Sequence, residues 1–143
     1  AGITVGLGTD GASSNNKLDM FAEMRLAALI HKAVSYDPKA IEAGEALDMA
    51  TREGAKCLGY DDLGELREGW LADIILIDRS GFNWKPDFND VSIAVYAANS
   101  RDVDTVIING KPVMINKELL TIDTERLDYE VNRVVKELYG DLN

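Results

Sequence analysis

Gly8-Thr9-Asp10-Gly11-Ala12-Ser13-Ser14-Asn15-Asn16 is the stretch on which the reading of the fold turns. The five residues before Gly8, Ile-Thr-Val-Gly-Leu, read as a short buried strand, with Gly6 and Gly8 allowing close backbone approach. After it, a polar loop leads to a helix capped by Asn16 or Asp19 and running to about Lys32. A strand that ends in an aspartate, followed by glycine, a polar loop and a helix, is the layout of an α/β barrel's catalytic rim. There the reactive residues sit at the C-terminal ends of strands. On layout alone, a turn or helix-capping role accounts for Asp10 at least as well.

The first helix has an apolar face of Leu18, Phe21, Ala22, Leu26 and Leu29. Met20, Met24, Ala27 and Ala28 extend it around more than half the circumference. That breadth predicts a helix packed on several sides. Asp37-Pro38 reads as a cap with proline at the first helical position, leading to short helices at residues 45–50 and 51–58 with Gly59 as their stop. From Tyr60 onward Gly64, Gly69, Gly81, Pro86 and Pro112 punctuate short β-branched runs. Residues 72–78 read as a strand, and residues 103–108 and 111–115 as a hairpin around Asn109-Gly110. Asp123 or Thr124 then caps a last helix with a stripe of Leu127, Val131, Val134 and Leu138.

With 143 residues, the chain can bury one sizeable core. Its net charge of −10, from 25 acidic and 15 basic residues, argues against a nucleic-acid-binding surface, which needs a basic face. No apolar run approaches the ~20 residues that span a bilayer, and no signal-peptide pattern opens the chain. A single cysteine, Cys57, excludes an internal disulfide and fits a reducing cytoplasm; its helical setting predicts a small buried hydrophobe. The chain opens inside an apolar strand-like run, which suggests truncation from something longer.

Gly8 to Asn16, together with Leu18-Asp19-Met20-Phe21 and Glu23-Met24-Arg25, resembles the last barrel strand of the amidohydrolase superfamily with its loop and helix. The branch it is most similar to contains 5-methylthioadenosine/S-adenosylhomocysteine deaminases, with triazine chlorohydrolases and guanine deaminases as relatives. The resemblance continues through Ala46-Leu47-Asp48-Met49-Ala50-Thr51, Gly54-Ala55, Leu58-Gly59, Gly64-Glu65-Leu66, Gly69 and Ala72-Asp73-Ile74-Ile75. It ends in Val95-Tyr96-Ala97-Ala98 and Val106-Ile107-Ile108-Asn109-Gly110-Lys111-Pro112-Val113, so it covers nearly the whole chain in order.

This resemblance implies an α/β fold: the C-terminal end of a metal-dependent (β/α)8 barrel, part of a small β-sandwich domain and a C-terminal helix. In those terms residues 1–59 close the barrel, 60–122 belong to the composite β-sandwich and 123–143 form the helix. It also implies a divalent metal, usually zinc, that generates hydroxide to displace an exocyclic amine from a purine nucleoside or thioether nucleoside. Asp10 matches the family's metal-binding aspartate, which also relays a proton and lies against the substrate; Ser13 is a further candidate for substrate contact. The family's His-x-His pair and acid/base glutamate have no counterpart here. The one histidine, His31, falls mid-helix and reads as a packed helix residue rather than a ligand.

A catalytic zinc needs about three protein ligands, and a whole barrel roughly 250 residues. The expectation is therefore a C-terminal fragment that is inactive alone and does not hold zinc tightly. The alternative is a stand-alone, non-catalytic domain derived from the family for packing or oligomerisation. Unpaired strand edges and the apolar first helix predict a homo-oligomer, while the acidic charge and the lack of a spanning apolar run predict no nucleic-acid or membrane partner. Asp73 reads as a structural hydrogen-bonding group, and Trp84 with Pro86 as loop packing.

Overall fold

The computed structural model describes residues 2–140. Helix α1 (Met20–Ser35) begins at Asp19, whose carboxylate accepts the amides of Phe21 at 3.0 Å and Ala22 at 3.3 Å. These are two of the donors that a helix start leaves unpaired. Its buried face is a narrow stripe of Phe21, Met24 and Ala28, spaced three and four residues apart. The broader face predicted from sequence is not buried: Leu26 and Leu29 are 51% and 46% exposed.

Helix α2 (Ala43–Ala50) brings Ala46 onto that stripe, and α3 (Arg52–Cys57) comes after the single break at Thr51. Alanines at 28 and 46, both fully buried, let α1 and α2 approach closely. The helix predicted from Asp37-Pro38 does not start there. Asp37 instead closes a turn, its side chain accepting from the Lys39 amide at 2.9 Å and its carbonyl from Ala40 at 3.1 Å. Ile41 then takes φ 48°, which breaks any helical path before Ala43.

A further helix, α4 (Asp90–Tyr96), has no counterpart in the sequence reading. Asn89 caps it by accepting the Ser92 amide at 2.8 Å. α4 supplies the fully buried Val95 and packs on both α1 and α2, so the core of Phe21, Met24, Ala28, Ala46 and Val95 joins three helices.

The sheet is antiparallel, in the order β1 (Ile74–Ile77), β2 (Val103–Ile108), β3 (Lys111–Ile115), β4 (Glu118–Leu119). The Asn109-Gly110 hairpin forms as predicted, both residues at positive φ (49° and 73°), as a two-residue turn between twisted strands requires. Asp73 accepts the Asn109 amide at 2.6 Å and so ties the start of β1 to that turn. Trp84, buried in a 3₁₀ turn, donates its indole N–H to Asp102 at 3.2 Å. The same carboxylate oxygen accepts from the side chains of Asn83 and Asn99 and from the Asn99 amide, fastening the loop after β1 to the start of β2.

Residues 3–7 do not form the buried strand expected of them. They have no ladder partner among the described residues, and Ile3 and Val5 are exposed. A strand exists only through pairing; here the tether is one hydrogen bond, from the Leu7 amide to the Met49 carbonyl at 2.9 Å. Gly6 does make the predicted close approach, since a Cβ there would stand 2.9 Å from Gly54 Cα, whereas Gly8 faces open space. Cys57 and His31, both expected to be packed, are exposed. Cys57 ends its short helix at the surface, and His31, three residues beyond Ala28, lies past the last buried residue of α1.

Helix α5 (Thr124–Tyr139) is capped by Asp123 and carries the predicted stripe, but none of its residues is buried. Leu127, Val131, Val134 and Leu138 are 42% to 70% exposed. The chain as a whole exposes 10542 Å², where a compact monomer of 15.7 kDa would expose about 7,300 Å².

Candidate active site

Asp10 lies between the Leu7 tether and α1, at φ 57°, in the left-handed region that few residues other than glycine adopt. Aspartate tolerates it when its short side chain bonds locally. Here the Gly11 amide donates to Oδ1 at 2.6 Å and the Ser14 hydroxyl to Oδ2 at 2.7 Å. The Thr9 hydroxyl donates to the Asp10 carbonyl at 3.2 Å. The Ser14 and Asn15 amides both converge on the Gly11 carbonyl, at 3.0 and 2.9 Å, closing the loop into a turn.

These bonds set the electrostatics. The Ser14 hydroxyl, and after it the Gly11 amide, hold the Asp10 carboxyl below its ordinary value of 3.8, because both donate to the charged form. The carboxylate is exposed and therefore ionised at neutral pH. Two donors occupy two of its roughly four acceptor positions, leaving capacity for a cation or a proton.

Asn15 supports the loop from behind. Its Nδ2 donates to the Thr9 carbonyl at 2.9 Å and to Glu23 Oε1 on α1 at 2.7 Å. Of the residues in the Gly8–Asn16 stretch, the structure thus brings Asp10, Ser14 and Asn15 into one constellation. Ser13 is exposed in the same loop, and Ser14 is the serine that meets the carboxylate. Glu23 was missed as a functional position. The available signal was a carboxylate in the first turn of α1, one turn past the cap, after an asparagine-rich loop.

The described residues do not complete a metal centre. No three of their His, Cys, Asp and Glu side chains come together in a group that could hold an ion. Asp10 is one donor where a catalytic zinc takes about three, so the described residues do not by themselves fit a catalytic zinc.

The model of the amidohydrolase family matches residues 1–113, more than half of the chain. The chain belongs to the amidohydrolase family. Curated relatives of this amidohydrolase chain include 5-methylthioadenosine/S-adenosylhomocysteine deaminases. That of Acetivibrio thermocellus is 54% identical over 136 residues, covering 94% of this chain and 32% of the relative. That of Dictyoglomus thermophilum is 47% identical over 137 residues, covering 96% and 32%. The chain therefore spans about a third of the length of the relatives it matches.

Among solved structures, a zinc-bound adenosine deaminase of Xanthomonas campestris superposes with a TM-score of 0.92 at 36% identity, covering 97% of this chain and 32% of that one. An atrazine chlorohydrolase of Arthrobacter aurescens, complexed with zinc, superposes at 0.85 and 34% identity, covering 94% and 30%. The mixed helix and strand content is thus that of an amidohydrolase-family fold.

Proposed function

We propose that these residues are the closing part of a metal-dependent amidohydrolase that hydrolytically deaminates an aminopurine nucleoside or thioether nucleoside. In this reading residues 1–59 end a (β/α)8 barrel, residues 60–122 are part of a small β-sandwich, and residues 123–143 are the C-terminal unit that carries α5, of which 141–143 lie outside the described residues. Asp10 supplies one ligand of a divalent metal's set, zinc being the metal in the solved relatives. The remaining donors come from residues outside this sequence. Asp10's unused acceptor positions also suit it to take and pass on a proton at hydrogen-bond range. Ser13, exposed in the same loop, is the candidate for substrate contact.

The observation that carries this reading is the Asp10 carboxylate, kept ionised by two donors yet exposed, at the end of a segment that has no strand partner among the described residues. The relatives' names supply the substrate class.

The test is ammonia release from 5-methylthioadenosine and S-adenosylhomocysteine by the full-length protein carrying this sequence. Turnover is expected there, with a loss of about a thousandfold in Asp10→Asn and none detectable for the isolated 143-residue chain. Turnover by the isolated chain with metal bound would overturn the partial-site reading. Wild-type kcat in Asp10→Asn would remove Asp10 from the chemistry.

A second reading, a non-catalytic unit used for packing or oligomerisation, is favoured by the exposed stripe of α5 and the surface excess of roughly 3,000 Å², which is of the order that obligate interfaces bury. Full-length protein that is inactive, free of metal and self-associated would support it.

A further inference from the structure

We propose that Glu23, acting through Asn15, is a positioning residue for Asp10; the inference rests on the deaminase reading above. Asp10's φ of 57° is a strained setting. The angle is fixed by the orientation of the preceding peptide, whose carbonyl belongs to Thr9. That carbonyl accepts from Asn15 Nδ2 at 2.9 Å, and the same nitrogen donates to Glu23 Oε1 at 2.7 Å.

The direction of the asparagine amide is set by its partners. Both groups at Nδ2 are obligate acceptors, and the group at Oδ1 is the Lys17 N–H at 3.2 Å. A flipped amide would set oxygen against a carbonyl and a carboxylate.

Glu23 in turn sits on a fixed support, between Phe21 and Met24, which anchor α1 in the core. Half-buried Asn15 and Glu23 therefore couple a rigid helix to the one peptide that sets where the Asp10 carboxylate points. Side chains that hold a reacting group in this way act on the rate, because a misplacement of about 1 Å can lower turnover about a hundredfold. Glu23 touches neither the carboxylate nor any reacting atom, so its effect should fall on kcat and not on substrate affinity.

The experiment measures deamination of 5-methylthioadenosine by full-length Glu23→Ala, Glu23→Gln, Asn15→Asp and the Glu23→Ala/Asn15→Asp double variant. Hydrogen exchange across residues 8–16 is measured in parallel. Glu23→Ala and Asn15→Asp are expected to lower kcat about tenfold or more with KM nearly unchanged. Glu23→Gln, which keeps an acceptor oxygen, should recover most of that loss, and the double variant should cost no more than Asn15→Asp alone. Wild-type kcat in Glu23→Ala, a loss carried by KM, or additive losses in the double variant would overturn the proposal.

Where the wild-type protein does not deaminate the aminopurine, the reading of the reaction falls, and exchange decides the clamp by itself. Exchange in residues 8–16 about tenfold faster in Glu23→Ala, with the core amides of α1 unchanged, supports it; unchanged exchange overturns it.

Discussion

Asp19 combines three roles in one side chain: it caps α1, accepts from the Ser100 hydroxyl at 3.2 Å, and pairs with Lys17 at 3.6 Å. Burial pushes its carboxyl upward, but the hydrogen bonds from Ala22, Ser100 and Phe21 outweigh burial and hold it below 3.8. Asp19→Ala should lose about 1 kcal/mol of stability at neutral pH. Asp19→Asn keeps a capping oxygen and should lose less. Because the folded state binds the proton less readily than the unfolded one, the advantage of the native carboxylate is complete above the ordinary value of 3.8. It should fade as the pH drops through the lower folded value. Urea unfolding of wild type and Asp19→Asn at pH 7 and at about pH 3 checks the sign, since the two curves should converge in acid. The sequence made Asp10 and its loop legible as a unit, because glycines and short polar residues announce a turn. It did not show Glu23, because the link runs through an asparagine side chain across a gap of eight residues that no periodicity marks.

At the scale of elements, the helical stripe is the sharper test. Met24→Ala, in the buried stripe, should cost about 2–5 kcal/mol. Leu26→Ala should change stability by no more than about 0.5 kcal/mol, although the sequence pattern ranks Leu26 as core and the structure leaves it 51% exposed. Thermal unfolding of the pair separates the two. Gly110→Ala should cost about 1 kcal/mol, since φ there is 73° and an L-residue meets its own carbonyl in that region. The hairpin was legible because Asn-Gly fixes its own turn. α4 was not, because Val91, Ile93 and Val95 favour strands one residue at a time, whereas the packing of α4 on α1 and α2, with Val95 in their shared core, favours a helix. Residues 3–7 failed in the opposite sense: the strand-like pattern is present, but the described residues offer nothing to pair with it.

For the whole molecule, the prediction drawn from the surface excess and the exposed stripe of α5 is that the isolated chain self-associates, which sedimentation at micromolar concentration checks. Replacing Leu127, Val131 and Val134 together by glutamine should leave the unfolding midpoint nearly unchanged, since none of the three is buried. The same change should shift sedimentation at micromolar concentration toward the monomer; an unchanged profile would place the association elsewhere. The three-helix core also governs how the sequence can be divided. Phe21 and Met24 precede the sheet's first strand and Val95 comes after it, so one core is encoded on both sides of β1. A recombination crossover between two homologous genes anywhere in 51–89 hands the halves of that core to different parents, and the chimera inherits partners that never adapted to each other's shape. A crossover in 120–123, past the last strand, leaves the core within one lineage and exchanges only a helix that buries nothing.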